Sequence, residues 1–183
     1  MSQLFGPVVQ QGYVVPDIDA AIEHWVERGV GPFFVEHLVD FDGIYDGEPV
    51  KLELKAGFAY WGDQQIEVIQ PLGDQPSIYS DYLRENPEGG LQHVAVWVDE
   101  IGKKMKELEA AGKDYTIRQS YGDSHAYIDS KDKPGMMIQL MKDEEGIRGM
   151  FAIIEEGAET WDGKSNPKRR IDWSTGSPVV ENL

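Results

Sequence analysis

Alternating apolar and polar positions, a helical stripe and further alternation occur twice along this chain in the same order. Residues 8–15 alternate as a half-buried strand. Pro16-Asp17 opens a helix to about Arg28, in which Ile18, Ala21, Ile22, Trp25 and Val26 share one face and Gly29 supplies the stop. The pattern then predicts strands over 32–40, 49–56 and 64–70, the last ended by Pro71. A polar loop over 41–48 carries the turn signals Asp42-Gly43 and Asp46-Gly47, and Gly62-Asp63 marks a further turn. Residues 73–90 read as a linker holding Pro76, a short helical piece over 78–84, and Gly89-Gly90. The order then repeats. A strand over 91–98 leads to a helix over 99–111, with Ile101, Met105 and Leu108 on its inner face and Gly112 beyond it. Strands follow at about 114–120, 123–129 and 136–142, with the last hairpin turning at Asp132-Lys133-Pro134-Gly135.

The repeat can be laid residue on residue. Placing Ile101 on Ile18 puts Val98 on Val15, Ala95 on Gly12 and His93 on Gln10. The expected fold is therefore α+β. A first βαβββ module spans 7–72, a linker 73–90, and a second βαβββ module 91–142, together forming an eight-stranded curved sheet cup. Residues 143–183 follow as a C-terminal helix and an extended tail. The helix is carried by Phe151, Ile154, Ala158 and Trp161; the tail holds Gly163, Pro167, Gly176 and Pro178. Lys168-Arg169-Arg170 in that tail reads as a solvated surface or a clamp onto an acidic body, in preference to a phosphate site.

Composition narrows the function. The 183 residues carry a formal net charge of −16, which opposes binding to nucleic acid or an anionic membrane. With no cysteine, disulfides and thiolate metal sites are excluded. No apolar run is long enough to span a bilayer, and the first residues lack the basic-then-apolar pattern of a signal peptide, so a cytoplasmic location is expected. Neither a serine elbow nor a phosphate loop is present, which argues against hydrolase and nucleotide chemistry.

Four polar residues fall at matched repeat positions: Gln10 and His93 on the first strands, Glu67 and Gln139 on the last. Alternate strand residues share a face. Gln10 therefore lies with Gly12 and Val14, His93 with Ala95 and Trp97, Glu67 with Gln65 and Ile69, and Gln139 with Met137 and Met141. A polar side chain on such an inward face must be hydrogen-bonded or coordinated. One strand histidine alone would be an ordinary core residue; four matched positions point to a shared site.

Together these stretches resemble the vicinal oxygen chelate superfamily, which includes glyoxalase I and methylmalonyl-CoA epimerase. They are Gln10 to Asp17, Ile66-Glu67-Val68-Ile69-Gln70-Pro71-Leu72, Gly90-Leu91-Gln92-His93-Val94-Ala95 and Pro134-Gly135-Met136-Met137-Ile138-Gln139-Leu140. The likeness covers about residues 7–142 and is most epimerase-like from Ile66 to Ile101. It implies one divalent metal ion (Mn, Co, Ni, Fe or Zn) held by Gln10, Glu67, His93 and Gln139, and a homodimer. It also implies metal-assisted isomerisation, epimerisation or lyase chemistry through an enolate on a small carbonyl or thioester substrate.

Gln139 departs from the family pattern, which has Glu there. An amide oxygen can coordinate a metal but cannot take a proton near neutral pH. Glu67 is then the expected base, with His37, His125 and Tyr127 as reserve proton carriers. The set does not match the two-histidine, one-carboxylate triad of ring-cleaving dioxygenases. Two alternatives stay open: a ligand-binding protein without catalysis, of the antibiotic-sequestering type, and an enzyme that uses the cup without metal.

Overall fold

The structure is a computed structural model and describes residues 4–130, 136–172 and 178–183. The turn expected at 132–135 lies outside these residues. In chain order the elements are β1 (Gln10–Val14), α1 (Ile18–Val26), β2 (Phe33–Tyr45), β3 (Glu48–Trp61), β4 (Gln64–Leu72), α2 (Ile78–Glu85) and β5 (Gly90–Val98). There follow α3 (Ile101–Ala110), β6 (Tyr115–Tyr121), β7 (His125–Ser130), β8 (Met137–Lys142), α4 (Glu145–Glu159), β9 (Lys168–Asp172) and β10 (Val179–Asn182).

The strands form one sheet in the order β10-β9-β2-β3-β4-β1-β5-β8-β7-β6. It curves until β6 returns to β2, where Ile44 faces Ser120 and Tyr45 faces Gln119. The result is a barrel-like cup in an α+β fold. Its two halves join within the one chain at the antiparallel pair β1–β5.

Helix α1 forms because Asp17 caps it, its carboxylate accepting from the backbone N–H groups of Asp19 and Ala20 at 3.0 and 3.1 Å. Such a cap stabilises by about 1 kcal/mol. The helix buries Ile18 and Ile22 on the outer face of the sheet, against Phe33, Ala59, Ile66 and Val68. On the second half α3 buries Leu108 against Val96, Val98, Ile128 and Leu140. With their outer faces covered, the strands can turn their other faces inward on a cavity.

Three stretches differ from the sequence expectation, each for a physical reason. The polar loop expected at 41–48 is largely strand: β2 continues to Tyr45 and turns only at Asp46-Gly47, both at positive φ. Gly43 marks a close approach there, not a turn, because a Cβ at that residue would meet the Tyr121 ring at 3.1 Å. The expected strand 49–56 and the segment after it are one strand, β3. Gly57, which reads as an interruption, lies under the Ile22 and Phe33 side chains. The expected tail contains β9, parallel to β2, and β10, antiparallel to β9. The basic triplet holds it down: Lys168 pairs with Asp19 at 2.5 Å, Arg170 with Glu181 at 2.6 Å, and Arg169 lies over the Phe34 ring.

Candidate functional site

The inner faces of the strands line a cavity of about 320 Å³, whose walls include Gln10, Glu36, Glu67, Tyr127, His125 and Gln139. Strand register explains how the polar residues meet. Gly12 is the partner of Glu67 on β4 and of His93 on β5, so it lies between them. A Cβ on Gly12 would fall inside the imidazole ring; with none there, the ring lies across the glycine and reaches Glu67. His93 Nε2 is 3.3 Å from Glu67 Oε2. In the same way Ala95 is the partner of both Gln10 on β1 and Gln139 on β8. Two rows, each with a small residue at its centre, thus bring four polar side chains together. The two small residues are the ones that the repeat superposes.

All four are buried, His93 completely. Their outward ends are held by other side chains. His93 Nδ1 donates to Gln92 Oε1 at 2.8 Å, which leaves Nε2 as the free lone pair, and Gln92 is anchored by donating to the Ile78 carbonyl at 3.1 Å. Gln10 Nε2 donates to Gln65 Oε1 at 2.7 Å, and Gln139 Nε2 donates to the Tyr127 hydroxyl at 3.0 Å. Each amide therefore spends its donor outward and keeps its oxygen. Gln10 Oε1, Glu67 Oε2, His93 Nε2 and Gln139 Oε1 are buried with no hydrogen-bond partner. Gln65 Nε2 is buried without a partner as well; an unsatisfied buried polar atom costs about 1–3 kcal/mol, and the other four are electron-pair donors. Among the described residues no three His, Cys, Asp or Glu side chains form a metal cluster. The four residues comprise one carboxylate, one imidazole and two amides.

The other groups divide clearly. Tyr127 packs edge-on against the His93 ring, with centroids 5.0 Å apart, and burial pushes its hydroxyl far above the usual range. Burial likewise pushes Tyr79 and Tyr121 up, and Tyr121 donates to Tyr79 at 3.0 Å. His125 lines the cavity beside Ser124, and burial lowers its pKa. His37 lies elsewhere: it is exposed on β2 and paired with Glu53 at 2.9 Å.

Glu36 is the residue that sequence reasoning missed. It lines the cavity from β2, and burial, followed by the charge of Glu67, raises its pKa. The available signal was its alternation with Phe34 and Leu38, which puts a carboxylate on an apolar inward face. Among the described residues the second half places no carboxylate in the cavity wall.

A family model described as the glyoxalase/bleomycin resistance protein/dioxygenase superfamily matches residues 9–127. Methylmalonyl-CoA epimerase of Dictyostelium discoideum is 30% identical over 80 residues, covering 42% of this chain and 48% of that protein. The Bos taurus enzyme is 27% identical over 106 residues, covering 54% and 59%. The chain spans about half the length of the curated relatives it matches. Among solved structures, methylmalonyl-CoA epimerase from Mycobacterium tuberculosis has a TM-score of 0.54 at 20% identity, covering 81% of this chain and 95% of that one. A hypothetical protein from Bacillus halodurans has a TM-score of 0.53 at 17% identity, covering 76% and 95%. These likenesses concern the fold.

Proposed function

The chain belongs to the glyoxalase/bleomycin resistance protein/dioxygenase superfamily, and from that premise we propose that it moves a proton at a carbon next to a carbonyl in a small substrate. The reading covers isomerisation, epimerisation and lyase reactions that pass through an enolate. The observation that carries it is the cluster of four partnerless donor atoms on Gln10, Glu67, His93 and Gln139. Those residues would hold a divalent metal ion. Once bound, the ion supplies Lewis acidity toward a substrate carbonyl, which makes the adjacent C–H more acidic.

The chain's own residues supply the rest. Gln92, Gln65 and Tyr127 hold the donor side chains in one orientation, as outer partners of metal ligands do. Glu67, the expected base, belongs to the donor set. Glu36 is the carboxylate left over, and it faces the same cavity. Its raised pKa brings it nearer to neutral pH, which suits a group that must both take and return a proton. Leu38, Phe58 and Met150 line the cavity with it and supply apolar surroundings.

Non-catalytic ligand binding remains the second reading, favoured by the mainly apolar wall. One experiment separates the two. Protein loaded with Mn²⁺ is incubated in D₂O with methylmalonyl-CoA and with a neutral α-diketone, and deuterium entry at the α-carbon is followed by NMR. Exchange that is lost in Glu36→Gln supports the enzyme reading. Binding without exchange sinks it; exchange equal in the variant keeps the enzyme reading and removes Glu36 as the base. We also infer a homodimer from the family resemblance.

A further inference from the structure

The cavity is electrically one-sided. Among the described residues no lysine or arginine lines it, and its two carboxylates are Glu36 and Glu67. Burial keeps His125 toward its neutral form. Arg148 lies on the same helix as the lining residues Ile147 and Met150, but it is engaged elsewhere. Its guanidinium stacks over Trp97 at 4.1 Å and pairs with Asp143 at 2.7 Å. An anionic group taken into such a space would find the phenols of Tyr79, Tyr121 and Tyr127 and two amides among acidic and apolar neighbours, but no counter-charge, which is costly. A divalent ion on the donor set, with Glu67 the single anionic ligand, would keep about one positive charge. That serves the oxygens it holds and leaves nothing for a second anionic group further along.

Most of the remaining lining is apolar and rich in rings. Phe41 and Phe58 come from the long β2–β3 hairpin, and Met150 and Phe151 from α4, with Leu38 and Leu54 between. The volume, about 320 Å³, lies at the small end of ligand sites, which run from about 300 to 1,000 Å³. It suits one ring with a short side chain. The nucleotide of a coenzyme A thioester would lie outside, against a protein with a net charge of −16.

We propose that this site takes a neutral, ring-bearing vicinal-oxygen carbonyl compound, with its oxygens toward Gln10, Glu67 and Gln139 and its ring against the apolar wall, and that it rejects substrates with an anionic group at the ring end. The proposal rests on the reading that this cavity is the substrate site, and it separates the chain from relatives whose names specify methylmalonyl-CoA.

The test is calorimetric titration with 1-(4-methylphenyl)propane-1,2-dione and its 4-carboxyphenyl analogue, which differ only at the ring end. Both are titrated into metal-stripped and Mn²⁺-loaded protein. The methyl compound binds about tenfold or more tightly than the carboxylate in both forms. Met150→Lys, which puts a cation into the apolar wall, narrows or reverses that preference. If this variant does not fold, the wild-type pair decides alone. Equal or tighter binding of the carboxylate by wild type, or no binding of the methyl compound, overturns the proposal. Deuterium entry at the dione methyl, read by NMR in D₂O, is scored separately. Selective binding without exchange removes the proton-transfer reading and keeps this one; exchange of methylmalonyl-CoA with no binding of the methyl dione does the reverse.

Discussion

The two halves of the cup share an order of elements but not a division of labour. In the second half the β6–β7 hairpin is built from strands of 7 and 6 residues; in the first, β2 and β3 have 13 and 14. Each half gives two donor side chains and one small residue from its inner strands. Only the first half, through its long hairpin, gives the extra carboxylate Glu36 and the rings Phe41 and Phe58. The second gives Tyr121, Tyr127 and His125, and α2 between the halves gives Tyr79. What the halves keep in common is the donor set, and what they do not share is the wall. The repeat therefore encodes the proposed donor set, and the departures from it shape the cavity wall.

The sharpest way to break this comparison is at the two small residues. Gly12→Ala puts a methyl inside the His93 ring, and the strain should cost about 1–3 kcal/mol. It should also displace His93 and remove metal binding. Ala95→Gly, at the equivalent position, should cost only about 0.5–1 kcal/mol. Urea denaturation and metal calorimetry on both variants measure the asymmetry. Similar losses at both positions would mean that the rows are not built as described.

Next come the partners that hold the donors. Gln92→Ala and Tyr127→Phe each leave the donor set intact and remove its support, so metal affinity should fall by about 10- to 100-fold. His93→Ala, which deletes a donor, should lose more than either. Calorimetry with Mn²⁺, Co²⁺, Ni²⁺ and Zn²⁺ reads the order, and an unchanged affinity in both supporting variants would contradict it.

Glu36 gives a pH signature that the second half cannot. Burial and Glu67 hold its carboxyl above the ordinary range, so the folded chain keeps a proton that the unfolded chain releases first. This part of the stability falls as pH rises from the ordinary carboxylate range through the raised value, and is constant above it. Metal-stripped Glu36→Gln should therefore gain on wild type across that window and remain the more stable at neutral pH. Denaturation midpoints from pH 4 to 8 check it, and a variant less stable than wild type throughout would reverse the sign.

Much of this arrangement was legible in the sequence, and the failures have physical causes. Alternation and helical spacing located the inner strands because their burial is strongly one-sided. Superposing Ile18 on Ile101 matched Gln10 with His93, and the order of the strands matched Glu67 with Gln139, although Gln10 and Glu67 are 67 − 10 = 57 residues apart and His93 and Gln139 are 139 − 93 = 46 apart. It also aligned Gly12 with Ala95, whose shared smallness is explained only by what crosses them. The long hairpin was not legible. Gly43, beside Asp42, has the look of a turn in a lone sequence but is a space for Tyr121, a contact from a distant part of the chain; Gly57, just past the end of the expected strand 49–56, lies against Ile22 and Phe33. Glu36 lay within the expected strand 32–40 and was passed over because its alternation with Phe34 and Leu38 was not read as an inward face. The strands near the C-terminus escaped notice because they are short and polar and are held by ion pairs to Asp19 and Glu181.

Association is the smallest of the expected effects. A proposed dimer of subunits at −16 should weaken at low salt, where like charges are least screened. Sedimentation over a range of ionic strength reads this, and a monomer at all salt concentrations would contradict the dimer.

The central claim is that four partnerless donor atoms form one metal site. It is tested most directly by titrating metal-stripped wild type and Gln139→Glu with Mn²⁺ and Co²⁺ in the calorimeter. The account predicts that wild type binds one ion per chain and that Gln139→Glu, with a second anionic donor, binds it more tightly. If both proteins remain folded and neither takes up a metal, the four side chains do not form a metal site, and the cavity holds its ligand without one.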